Sequence, residues 1–154
     1  MKVAVSEALN IGIDAQKNGR ISEAERIYSD ILLNFPSHPD SLHNLGVLFL
    51  SKGDEQKARN YFNRSIAANP KVKQFWVSYL NLLVALGNLE KAMQVFKQAE
   101  DIGITNDPFV KIRIALGLSG NETQATSITT LDSGSLSTKE VAAKANVHRD
   151  TLLR

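Results

Sequence analysis

The apolar positions along this chain follow a helical spacing, not an alternating one. Leu42, Leu45, Leu48 and Phe49 stand at i, i+3, i+6 and i+7, one face of a helix. Gly53 interrupts the run. Ala58, Tyr61, Phe62, Ser65 and Ile66 then form a second run, which Pro70 ends because proline has no N–H to extend the helix. The pattern predicts a helix A, a tight turn and a helix B. Helix A is expected to begin after Pro39, with Asp40 and Ser41 in its first turn, where a negative charge suits the helix dipole. Glycine suits the turn because it adopts left-handed backbone at no steric cost.

The pair recurs. Gly19, Gly53 and Gly87 are evenly spaced, and Ala24, Ala58 and Ala92 keep the same interval, as do Tyr28, Phe62 and Phe96. Pro36 and Pro70 share that interval, and so do Gly12 and Gly46. Ile31, Ser65 and Ala99 continue it, with Ile66 one position out of step. Several residue types recurring together at a period of about 34 residues resemble the tetratricopeptide repeat, most closely in LHNLGVLFLSKGDEQKARNYFNRSIAANP from Leu42 to Pro70. The fold class expected is all-α: a right-handed α-solenoid of three helix pairs, about 5–38, 39–72 and 73–106, with a capping helix over 107–118 and a C-terminal helical hairpin.

Gly46 lies inside helix A, where glycine costs about 1 kcal/mol relative to alanine, so a packing reason is expected: close approach of helix B. The third unit departs from the pattern. Trp76 is the expected aromatic, but Leu80 stands in the glycine position and Ile104 in that of the terminal proline. Its pair is expected to pack slightly wider. Asp107 reads as an N-cap and Pro108 as the first helical residue of the cap. The Ser- and Thr-rich stretch 119–136 reads as a flexible linker, with a frayed half-repeat as the alternative.

The resemblance implies that the A helices line a concave groove that binds a peptide or helix of another protein. Its implied peptide-binding residues are Leu9, Asn10, Ile13, Gln16 and Lys17 in the first unit. They are His43, Asn44, Val47 and Leu50 in the second, and Gln74, Val77 and Asn81 in the third. Asn10 and Asn44 share one position. Arrays similar to that of O-linked N-acetylglucosamine transferase hold a peptide backbone there with an asparagine ladder, which suits an amide that both donates and accepts. Here Ser78 breaks the ladder after two rungs. The alternative is that both asparagines hydrogen-bond neighbouring helices. The basic clamp that reads chaperone carboxylates is missing: its positions hold Leu9, Ile13, Asn44, Gln74 and Ser78, and only Asn44 matches. The groove is therefore expected to prefer an apolar or amphipathic ligand.

Residues 137–154 resemble a truncated bacterial helix-turn-helix of the repressor or excisionase-like kind. Ser137 or Thr138 caps its first helix, and Asn146 takes the glycine position of the turn. His148, Arg149, Asp150 and Thr151 would face DNA in the major groove. A short amphipathic hairpin is the alternative.

Composition narrows the chemistry. A net charge of +2 is too small to favour nucleic acid or membrane for the chain as a whole. With no cysteine there is no disulfide and no thiolate metal site, which fits a reducing, cytoplasmic setting. No signal peptide and no apolar run of transmembrane length is visible, so no membrane partner is expected. His38 in its inter-repeat loop and His43 one turn after Asp40 read as solvated surface histidines. No phosphate loop, nucleophile motif or metal spacing is present, so no cofactor and no catalysis are expected. The leading function is a protein-binding scaffold. Two alternatives stand beside it: a DNA-binding regulator using the tail, and the targeting module of a larger glycosyl-, sulfo- or methyltransferase, whose bacterial members the segment QFWVSYLNLLVALGNLEKA resembles. Pairing with a second copy through the uncovered N-terminal helix face is also left open.

Overall fold

A computed structural model describes residues 4–105 and 107–118. These form seven α-helices: α1 (Val5–Lys17), α2 (Ile21–Asn34), α3 (Pro39–Ser51), α4 (Glu55–Ala68), α5 (Lys73–Ala85), α6 (Leu89–Asp101) and α7 (Asp107–Ala115). There is no strand among the described residues. The helices pair as α1/α2, α3/α4 and α5/α6, each pair packs on the next, and α7 lies against α5. The fold is an all-α solenoid of helix pairs. The expected linker over 119–136 and the helix-turn-helix over 137–154, including His148, Arg149, Asp150 and Thr151, lie outside the described residues.

Within each pair the turn has one construction. Gly19, Gly53 and Gly87 take φ values of 73°, 78° and 69°. The next residue donates its N–H back five positions: Arg20 to Ala15 O at 2.8 Å, Asp54 to Phe49 O at 2.8 Å and Asn88 to Leu83 O at 2.9 Å. This satisfies carbonyls that the helix end would leave without a partner. The same residue then starts helix B, its carbonyl accepting from Ala24, Ala58 or Ala92. The Asp54 and Asn88 side chains also accept from the N–H groups of Lys57 and Lys91. Arg20 cannot cap in that way, and instead pairs with Asp14 and Glu23, each at 3.0 Å.

The core is one continuous cluster running from Ala15 to Leu116. Its tightest feature is an aromatic ring of helix B laid on a glycine of helix A. A Cβ added to Gly12 would stand 2.6 Å from Tyr28 Cε1, and one on Gly46 would stand 2.6 Å from Phe62 Cδ1. Both aromatics are fully buried. Leu80 fills the corresponding place in the third unit, and α5 and α6 run close together over less of their length than the other two pairs. Ser65 is wholly buried among apolar neighbours because its hydroxyl donates to Phe62 O at 2.7 Å.

Four local expectations need correction. Helix α3 starts at Pro39 itself, whose missing N–H is no loss in a first turn. His38 is not a solvated loop residue: it is half-buried and caps α3, its Nδ1 accepting from Ser41 N–H at 3.2 Å. Asp107 is already inside α7, so it contributes a first-turn charge. Ile104 does not merely stand in for proline; it is buried, and its N–H donates to Ala99 O at 2.9 Å beyond the left-handed Gly103. That bond closes the end of α6.

Gly46→Ala tests the ring-on-glycine contact. Alanine gains about 1 kcal/mol of helix propensity, but displacing a packed ring costs about 1–3 kcal/mol. A thermal melt lowered by several degrees is expected, whereas a raised midpoint would show the glycine to be unnecessary.

Candidate functional site

Helices α1, α3, α5 and α7 present one side of the array, and the expected groove residues are distributed along it. In the first unit Leu9 and Ile13 are half-buried, packed at the edge of the core, while Asn10 and Lys17 are exposed. Gln16 is half-buried and already engaged, its Oε1 accepting from the Tyr28 hydroxyl at 2.9 Å. In the second unit Asn44 and Val47 are half-buried and Leu50 is exposed. In the third, Gln74 and Asn81 are exposed and Val77 is half-buried.

His43 is not a surface histidine. Its ring stacks on Phe75 at 4.9 Å and tilts against Phe62 at 5.5 Å, and its Nε2 shares a 2.9 Å hydrogen bond with Ser78 Oγ. Gln74 donates to the same hydroxyl at 3.2 Å. His43 therefore joins α3 to α5. Burial pushes its pKa below the ordinary histidine value, only partly offset by a hydrogen bond with the Asn44 side chain and the charge of Asp40. Burial pushes the Tyr28 phenol up to about 12, with the nearby Asn44 side chain pulling the other way. Asn44 is half-buried near Tyr28 and His43, while Asn10, its counterpart one repeat earlier, stays exposed. The two asparagines are not equivalent rungs.

The A-helix side is indented between α5 and α7. A cleft of about 330 Å³ lies there, lined by Val77, Asn81 and Val84 from α5 and by Asp107, Lys111 and Ala115 from α7. Lys111 was not among the expected residues. It stands one repeat after Val77, so extending the register into the seventh helix would have found it. Ser78, which breaks the asparagine ladder and stands at a clamp position, is the partner that holds His43. A second cleft, of about 290 Å³, lies at the N-terminal end and is lined by Val5, Ile11, Ile27 and Phe35. Pairing with a second copy was left open on this face. Among the described residues no group of three or more His, Asp or Glu side chains could hold a metal ion, and no helix is long and apolar enough to cross a membrane.

The sequence pattern described as Tetratricopeptide repeat matches residues 9–72 and, overlapping them, 53–107. The chain belongs to the tetratricopeptide repeat family. Tetratricopeptide arrays are interaction modules, which agrees with a side built of apolar and amide positions. Over 69 residues the chain is 33% identical to cellulose synthase 1 operon protein C of Komagataeibacter xylinus, a match covering 45% of this chain and 5% of that protein. The chain thus spans a small part of that relative. A tetratricopeptide repeat protein from Parabacteroides merdae superposes with a TM-score of 0.65 at 21% identity, over 73% of this chain and 44% of that one. The first tetratricopeptide domain of Spaghetti (RPAP3), solved with the HSP90 peptide SRMEEVD, superposes with a TM-score of 0.64 at 16% identity, over 75% of this chain and 91% of that one.

A depressed histidine pKa fixes the sign of a pH effect. The unfolded chain takes up a proton on His43 near pH 6.5, which the folded array resists. The stability from its neutral state is complete above that pH and is lost as pH falls toward the lower folded value. Thermal midpoints between pH 7.5 and 5 should drop more steeply for the native chain than for His43→Phe. Parallel slopes would remove His43 as the cause.

Proposed function

We propose that this chain acts by binding rather than by catalysis, holding an apolar or amphipathic segment of another protein along the A-helix side. The observation that carries this reading is the cleft between α5 and α7, where Val77 and Val84 offer apolar walls beside the Asn81 amide and the Lys111 ammonium. Apolar walls supply affinity, and a few placed polar groups set orientation. Such a cleft suits a branched side chain of the ligand, with Asn81 placed to meet the adjoining main chain. Leu9, Ile13, Val47 and Leu50 extend the apolar track toward the N-terminus, and Asn10, Lys17, Gln74 and His43 border it. Asn44 is the weaker candidate for holding a ligand backbone, because it is half-buried.

The ligand is expected to differ from the acidic peptide carried by the Spaghetti domain. A carboxylate-reading clamp needs cations, and here Leu9, Ile13, Gln74 and Ser78 occupy four of its five positions. The superposition with that domain therefore speaks for the shape and not for the ligand.

Selection of the full chain against a displayed library of random peptides tests the reading. Recovered peptides should share branched or aromatic residues. Their affinity should fall at least tenfold with Val84→Glu, and should be unchanged with Leu33→Glu on an exposed part of α2. Peptides equally weakened by Leu33→Glu, or unaffected by Val84→Glu, would place binding elsewhere.

A further inference from the structure

Of the asparagines in this chain, Asn18 alone precedes a glycine. The pair is exposed in the turn between α1 and α2, and a Cβ built on Gly19 would meet nothing within 4 Å. One and two repeats later the asparagine's place is taken by Lys52 and Leu86. Those turns make the same backbone bonds: Gly19, Gly53 and Gly87 donate to Gln16 O, Leu50 O and Val84 O at 3.1, 3.0 and 3.0 Å. The fold of the turn therefore needs no amide side chain at this position, and only the first turn carries one.

An amide followed by glycine has a reaction that lysine and leucine lack. The Gly19 nitrogen, having given its proton to hydroxide, bonds to Asn18 Cγ. The Cγ–Nδ2 bond breaks, and the nitrogen leaves as ammonia with a proton from water, which returns the hydroxide. The succinimide so formed takes up water. Opening at Cγ gives aspartate. Opening at the main-chain carbonyl gives isoaspartate, which routes the backbone through the side chain and lengthens it by one carbon.

The turn restrains this reaction. Ring closure needs the Gly19 nitrogen in one plane with Asn18 Cβ, and the ψ of 11° at Asn18 holds it well out of that plane. Asn18 Nδ2 donates to Asp14 O at 2.8 Å, and the N–H groups of Gly19 and Arg20 donate to Gln16 O and Ala15 O. Rotation into the reactive geometry breaks these bonds, so the chemistry waits for the turn to open. Afterwards the added carbon displaces both nitrogens from the carbonyls they close on. The new carboxylate also lies at the negative end of the α1 dipole.

We propose that Asn18 is a site of spontaneous covalent modification, gated by the α1/α2 turn, whose isoaspartate product loosens the first helix pair. The proposal does not depend on the ligand of the A-helix side.

The full protein and a peptide of residues 12–24, GIDAQKNGRISEA, are aged together in mildly alkaline buffer and followed by peptide mapping. Aspartate and isoaspartate should appear at residue 18 in both, roughly tenfold or more slowly in the folded chain, because local opening must come first. The isoaspartate form of the protein, separated by chromatography, should melt below fresh protein and below Asn18→Asp. Asn18→Lys, which copies Lys52, should melt as the native chain does and keep its melt on ageing. No product at residue 18 after roughly a hundred peptide half-lives overturns the proposal. Equal rates in protein and peptide overturn the gate, and an isoaspartate form as stable as fresh protein overturns its effect. A melt that falls equally in aged Asn18→Lys would assign the damage to another residue.

Discussion

The contact on which this array depends is an aromatic ring lying directly on a glycine backbone. Tyr28 covers Gly12 and Phe62 covers Gly46 so closely that a single added carbon would stand 2.6 Å from the ring. Removing a side chain at that point lets two helices approach where large residues on both would hold them apart. Phe62 also meets His43 of its own pair, whose ring stacks on Phe75 of the next, and Phe96 meets Phe109 of α7. The ring-on-glycine contact therefore closes the first two pairs, and in the second His43 links the same ring to the pair that follows. The third unit shows the alternative: Leu80 replaces the glycine, and the pair runs close over a shorter length.

Much of this was readable from residue spacing. The repeat period predicted the helix pairs, the left-handed turns and the packing role of Gly46, because each depends on local sequence and recurs along the chain. The histidines were not readable. Each looked solvated beside its own neighbours, but His38 bonds to a serine three residues ahead, and His43 bonds to one 35 residues away. A long-range partner leaves no local trace. Asn44 is the same case: its position in the repeat suggested a ligand contact, and its actual neighbours are Tyr28 and His43. Ile104 shows how a break in the pattern can preserve its effect, since a left-handed glycine ahead of it ends the helix by another route.

The A-helix side contains two kinds of position that a repeat register does not distinguish. Gln16, His43 and Ser78 are occupied in tying helices together, while Asn10, Leu50 and Asn81 remain open to solvent. Polar groups already paired inside the protein contribute little further to a ligand, because binding would have to break one bond to make another. Of the free positions, Asn81 lines the cleft between α5 and α7.

The turn glycines carry a consequence of another sort. A Cβ placed on Gly19, Gly53 or Gly87 would touch nothing within 4 Å. These residues are kept by their torsion angles alone and not by crowding, unlike Gly12 and Gly46. The edge of the array formed by the turns is thus the margin along which the protein can most readily change over evolution. Residues added beside them would meet no packed side chain, so lineages could acquire loops on this edge while the helix pairs behind it stayed the same.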